Sequence, residues 1–165
     1  MGLFDTIKCD YPLPLPDFTK EELDDINGTE EGEVDWKEMD WQTKDLENLL
    51  SVYSIEEDGQ VYVELADWEE DDTSPTGYKP VSLGIEKYER TAEVNFYQGI
   101  MGKKYDYWIE FKAVIFKGEL VELTLDNYNK ESNDARIEFQ ENMRNVMKEN
   151  KKPKPIFKFY KKVMG

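Results

Sequence analysis

From Tyr88 to Leu125 the apolar residues recur at every second position in three successive runs, and this pattern excludes most folds. Ala92, Val94 and Phe96 share one face, Tyr107, Ile109, Phe111, Ala113 and Ile115 share the next, and Val121, Leu123 and Leu125 line the third. A period of two belongs to a half-buried strand, with one side on a core and the other in solvent. Lys117-Gly118 separates the last two runs as a tight turn. The three runs therefore predict an antiparallel meander. Gly99-Ile100-Met101-Gly102-Lys103-Lys104 joins the first two and has the spelling of the GXXG loop with which KH domains clamp a nucleic-acid backbone. That loop joins two helices and this one joins two strands, so it reads as a hairpin loop.

The first half is less regular. Val52 to Ile55, the turn Glu57-Asp58-Gly59 and the run Gln60 to Trp68, with Val61, Val63 and Leu65 on one face, predict a second hairpin. Trp41 to Leu46 reads as a short strand. Leu3 to Pro16 reads as extended, because residues before Pro12, Pro14 and Pro16 are pushed out of the helical region; Phe4 and Ile7 are candidates for the core. Thr19 and Glu22 have capping-box spacing ahead of Leu23 and Ile26, which predicts a short helix ended by Asn27-Gly28. A second helix is expected from Ser132 or Asn133 to about Glu149, with Phe139, Met143, Val146 and Met147 on its inner face and Pro153 and Pro155 beyond its end.

A sheet with one apolar face must cover it, and the helix at 133–149 is the evident cover. The expected fold class is α+β: an antiparallel sheet of meander and hairpins with a C-terminal amphipathic helix packed on one face. The chain reads as a single domain over 1–165. Within it lie an acidic, loop-rich segment at 17–40, a flexible loop at 69–82 that carries acids, prolines and a glycine, and a basic C-terminal tail at 150–165. The tail interleaves lysines with Ile156, Phe157, Phe159 and Tyr160. Such a tail could bind a single strand, but the rings could equally complete the core, the lysines offset the acidic half of the chain, or the tail simply be solvated, and direct nucleic-acid binding is not favoured.

Absences narrow the chemistry. The chain has no histidine and one cysteine, Cys9, so Ser-His-Asp and Cys-His catalysis, histidine-ligated zinc, an internal disulfide and a thiolate zinc cage are all excluded. The acidic pairs before Gly28 and Gly59 lack the ligand order of an EF-hand. No apolar run reaches the roughly 18 residues of a membrane span. Accordingly no catalytic residue, cofactor or metal is expected, and the protein reads as non-enzymatic and as having no membrane association.

What the chain does have is polarity of charge. Residues 1–72 hold 24 Asp and Glu against four Lys and Arg, and residues 73–165 hold 13 against 17, within a total net charge of −16. A field of this kind repels nucleic acid and attracts basic protein surface. The simplest account of such a surface is solvation; the functional one is docking onto a basic partner. The residues that would serve are Glu30, Glu31, Glu33 and Asp35 with Trp36 beside them, and Glu69, Glu70, Asp71 and Asp72.

Four blocks resemble a known set of proteins. Phe4-Asp5-Thr6-Ile7-Lys8-Cys9-Asp10-Tyr11-Pro12-Leu13-Pro14, then Trp41-Gln42-Thr43-Lys44-Asp45-Leu46, then Tyr53 to Gly59, then Trp108-Ile109-Glu110-Phe111 are similar to small tailed-bacteriophage proteins that carry no established activity. The resemblance implies a phage accessory product acting in the host bacterial cytoplasm. Its expected role is to bind and inhibit a bacterial host protein with a basic surface, an anti-phage defence component, through the acidic half. Two alternatives stand beside this: a DNA mimic that occupies a nucleic-acid groove, and a phage structural or assembly component. Read as residues alone, the first two blocks form either a latch, with the polar row Gln42 to Asp45 hydrogen-bonding the proline-rich arm, or a binding surface.

Overall fold

Two short reversals organise the computed structural model, which describes residues 3–150. At the first, Gly59 takes φ 87° and its N–H donates to the Glu56 carbonyl at 2.9 Å. At the second, Lys117 and Gly118 both have positive φ, 49° and 82°, the signature of the two-residue turn that matches strand twist. Glycine is required at 118, since a Cβ there would strike the Tyr88 carbonyl oxygen. Each reversal joins a hairpin, and each hairpin extends into a three-stranded meander.

The first meander is β3 (Val52–Ile55), β4 (Val61–Glu70) and β5 (Tyr78–Lys87); the second is β6 (Ala92–Met101), β7 (Tyr105–Phe116) and β8 (Glu119–Ser132). Between them lie β1 (Asp5–Cys9) and β2 (Trp41–Thr43), which gives one eight-stranded sheet in the order β5-β4-β3-β1-β2-β6-β7-β8. The sheet is mostly antiparallel and the fold is α+β with strands dominant. One pair departs from the expected all-antiparallel arrangement: β1 runs parallel to β3, Thr6 opposite Val52 through Cys9 opposite Ile55. A connection of more than forty residues separates these strands, and a connection that long permits either direction. The proline-rich start is therefore a central strand that leads into a strap.

The alternation in β7 is borne out in full: Tyr107, Ile109, Phe111, Ala113 and Ile115 are all buried, as are Val94 and Phe96 opposite them. In β8 the pattern slips. Leu120, Leu123, Leu125 and Tyr128 pack on the core while Val121 is exposed. The core also takes Ile7 and Cys9 from β1, Trp41 from β2, Tyr53 and Ile55 from β3, and Val61 and Val63 from β4. A bridge between Gln60 and Glu119 ties the start of β4 to the start of β8, so the sheet curls around this core.

Helix α1 (Lys20–Asn27) begins as its sequence dictates: Thr19 accepts the Glu22 N–H and Glu22 accepts the Thr19 N–H, a complete capping box. Its Ile26 is buried, while Leu23 is exposed. With α1, the strap residues Tyr11, Leu13, Leu15 and Phe18 and the following Val34, Trp36 and Met39 pack on the core. The sheet's apolar face is thus covered by the segment that the sequence suggested was mainly acidic loop.

Two further expectations are corrected. The described residues divide into two compact units, meeting between Glu131 and Ser132, where a single domain was expected. The second unit carries α2 (Asp134–Asn150), and the residues read as its buried inner face, Phe139, Met143, Val146 and Met147, are exposed. The basic tail expected at 150–165 falls, from residue 151 on, outside the described residues. No described helix is long and apolar enough to cross a membrane.

Candidate interaction surface

Residues 4–14 and 41–46 meet in the sheet, with Asp5 opposite Thr43, Thr6 opposite Gln42 and Ile7 opposite Trp41. Asp5 is fully buried, and its carboxylate accepts three backbone N–H groups, from Asn48 at 2.7 Å, Leu49 at 3.1 Å and Ser51 at 2.9 Å. It holds a loop in which Asn48 and Leu50 both adopt positive φ. On the other side, β2 shares a single backbone register pair with β6, Gln42 with Tyr97. Side chains extend that pairing: Thr43 Oγ1 donates to the Asn95 carbonyl at 2.8 Å, and Asp45 Oδ2 accepts the Asn95 N–H at 2.8 Å. The expected latch takes a different form: Thr43 and Asp45 bond Asn95 of β6 rather than the proline-rich arm, and the two segments meet through the backbone pairing of β1 with β2.

Cys9 is buried, and its thiol donates to the Tyr11 carbonyl at 3.4 Å. Burial pushes its pKa up to about 12, which leaves an inert core residue rather than a nucleophile. Gly99 to Met101 belong to β6, so the expected GXXG loop shrinks to Gly102, Lys103 and Lys104. That loop is tied to α1: Asp25 accepts the Lys104 and Tyr105 N–H groups and the Tyr107 hydroxyl, the last at 2.9 Å.

Beside this contact a cleft of about 450 Å³ opens between α1 and the β6–β7 loop, with Glu22, Asp25, Lys103, Lys104 and Lys130 on its walls. Glu22 accepts the Tyr128 hydroxyl at 2.5 Å and pairs with Lys130 at 3.5 Å. The Thr19 N–H, and after it Tyr128, hold the Glu22 carboxyl down at about 2, while burial and the hydrogen bond to Glu22 push Tyr128 up. A carboxyl depressed in the folded state adds stability above its unfolded value of about 4.5, and that stability is lost as pH falls from there toward about 2. Thermal melts between pH 7 and pH 2.5 should therefore show a shallower acid slope in Glu22→Gln than in wild type. Parallel slopes would contradict this role. Four acids, Glu21, Glu22, Asp24 and Asp25, stand against the three lysines of the cleft, so charges of opposite sign nearly cancel there and it offers no strong field to a charged ligand.

The sequence-assigned acids fall into two patches. Glu30, Glu31, Glu33 and Asp35 are exposed in the segment after α1, and among the described residues Glu30, Glu31 and Glu33 have no hydrogen-bond or ion-pair partner. Asp35 accepts the Lys37 N–H, and Lys37 pairs with Glu57 at the β3–β4 turn. Trp36 is half-buried and packs within the chain: it stacks on Phe18 at 5.8 Å and on Trp41 at 6.5 Å. It also forms one wall of a groove with Tyr11, Leu13, Leu15 and Val34.

The second patch lies elsewhere. Glu69 and Glu70 end β4, eight residues and more beyond the β3–β4 turn, roughly 25 Å along an extended strand. The structure does not bring the two patches together. The flexible loop expected at 69–82 is corrected to a hairpin: Glu70 pairs with Tyr78 and Trp68 with Pro80, and only 71–77 is turn. The turn is well bonded. Asp71 accepts both the N–H and hydroxyl of Thr73, its own N–H donates to the Gly77 carbonyl at 2.8 Å, and the Gly77 N–H donates to the Ser74 carbonyl at 3.1 Å. Those Thr73 bonds lower the Asp71 pKa. Glu69, Glu70 and Asp72 are exposed and, among the described residues, unpaired.

Sequence reasoning missed β5, and with it the exposed Tyr78, Leu83 and Ile85. The available signal was Gly77 at a turn-rich stretch, followed by Tyr78, Val81, Leu83 and Ile85. Among the described residues no three acidic or cysteine side chains converge as a metal site. No family model, no curated protein and no solved structure matches this chain.

Proposed function

We propose that this is a non-enzymatic phage accessory protein that binds a basic surface on a bacterial host protein, an anti-phage defence component, and inhibits it. The observation that carries this reading is the state of the acids. Six carboxylates, Glu30, Glu31, Glu33, Glu69, Glu70 and Asp72, face solvent without a partner among the described residues, although lysines elsewhere are used in ion pairs. Carboxylates left unpaired on an ordered scaffold keep their field for an incoming cation. Their division into two separated patches favours a protein partner over imitation of a continuous phosphate row.

The test is recovery of partners from a bacterium that expresses the tagged chain, at about 50 mM and about 300 mM salt. One host protein with a basic surface should be retained at low salt and weakened at high salt, and the host should lose the corresponding defence against infection. Displacement of that protein by excess duplex DNA would indicate the mimic instead. Recovery of nothing, with defence intact, contradicts the reading.

A further inference from the structure

The hairpin of β4 and β5 does more than end the sheet. Pairing between β3 and β4 stops at Val52 opposite Glu64, whereas β4 and β5 remain paired as far as Glu70 opposite Tyr78. Beyond Glu64 the two strands have no further strand partner, and past Leu65, which still packs on the core, they project as a ribbon arm. A two-stranded ribbon is marginal in water without an apolar face to bury. This one has a hydrogen-bonded tip and a bulge where Leu65 faces Gly84 and Ala66 faces Ser82.

Its composition is that of an interface. Val63 points into the core, so residues of even number along β4 point outward, and with them go their opposite numbers on β5. Ile85, Trp68 and Tyr78 thus form one stripe of about 20 Å on the outer face. They are 71%, 46% and 51% exposed. On the same face stand Glu64 and Glu70, with Asp71 and Asp72 in the turn at the tip, while Asp67, Glu69 and Lys79 lie on the opposite face. Trp and Tyr are the residues that most often anchor interfaces, and the acids fix the sign of what lies opposite. The free edge is unsuited to strand pairing, because Pro80 lacks an N–H and the bulge bends the strand at Leu83-Gly84.

We infer that the β4–β5 arm is the docking element of this protein, and that it lays its outer face into a groove with an apolar floor and a lysine- and arginine-rich rim on the partner. The inference rests on the proposed binding function and assigns it to one of the two acidic patches. Glu30, Glu31 and Glu33 then contribute steering alone.

The experiment uses the full chain and the host protein that wild type retains, with affinity measured at two salt concentrations. Trp68→Ala/Tyr78→Ala and Glu70→Gln/Asp72→Asn should each weaken binding by at least about tenfold. The acid variant should also flatten the salt dependence, and Glu30→Gln/Glu31→Gln/Glu33→Gln should stay within about threefold of wild type. All three should melt as wild type does, since Asp71, which builds the turn, is untouched. A photo-crosslinking phenylalanine analogue at Tyr78 should attach to a lysine- or arginine-rich stretch of the partner. If the arm variants bind as wild type and the 30–33 variant does not, the arm is overturned and the acidic-surface function stands. Crosslinking to a neutral or acidic stretch, or to a second copy of this chain, overturns the arm as well. If wild type retains no host protein, both fall.

Discussion

Asp5→Ala is expected to destabilise the protein by about 4 kcal/mol, lowering Tm by roughly 8–16 °C for a chain of this size. The carboxylate has no access to solvent and accepts the N–H groups of Asn48, Leu49 and Ser51. Alanine leaves all three donors facing a void, each at a cost of about 1–3 kcal/mol, reduced where water reaches the loop. Asn48 and Leu50 also hold positive φ, a conformation that costs a non-glycine residue about 1 kcal/mol and persists only when its surroundings impose it. The loop should therefore loosen first. Amide exchange would show it, with Asn48, Leu49 and Ser51 losing protection well before the β6–β7 ladder. Asp5→Asn keeps one acceptor oxygen and should lose about half as much. A melting temperature for Asp5→Ala within about 2 °C of wild type would contradict this role.

Trp41→Ala is expected to cost a similar amount, about 3–5 kcal/mol. The indole is fully buried and meets Trp36 at 6.5 Å, Phe96 at 5.9 Å and Phe111 at 5.1 Å. Its removal empties the point where the cover layer, through Trp36, meets β6 and β7. The cost should be felt on both sides, with Trp36 emission shifting to longer wavelength. Trp41→Phe should be far milder, about 1–2 kcal/mol. Its ring still fills most of the site, and the lost indole Nε1 has no hydrogen-bond partner among the described residues. Urea titrations of the two variants settle the comparison. Equal losses would show that the indole N–H matters, against the geometry.

The parts legible in the sequence are those where one physical constraint dominates. The β7 alternation, the Glu57-Asp58-Gly59 and Lys117-Gly118 turns and the Thr19–Glu22 capping box are local, and each is found where expected. The strand at 5–9 was less legible because Pro12, Pro14 and Pro16 suggest a strap, yet Asp5, Ile7 and Cys9 share one parity and one buried face. An aspartate in step with two apolar residues was the available sign of a buried staple. Trp36 shows the opposite difficulty. Acids surround it in the chain, and only its stacking on Phe18 and Trp41 reveals that it faces inward. The arm was illegible for a different reason. Past Leu65, which packs on the core, neither of its faces carries a half-buried period, and Pro80 and the acids read as loop.

The same reasoning gives the arm its meaning, since a ribbon with Trp68, Tyr78 and Ile85 outward has its apolar face still to be covered. The most direct test is hydrogen exchange on the full chain with and without its retained host partner. Slowed exchange at 67–72 and 78–83, with 30–36 unchanged, is the predicted result. Slowed exchange confined to 30–36, or none in either segment, would contradict the account.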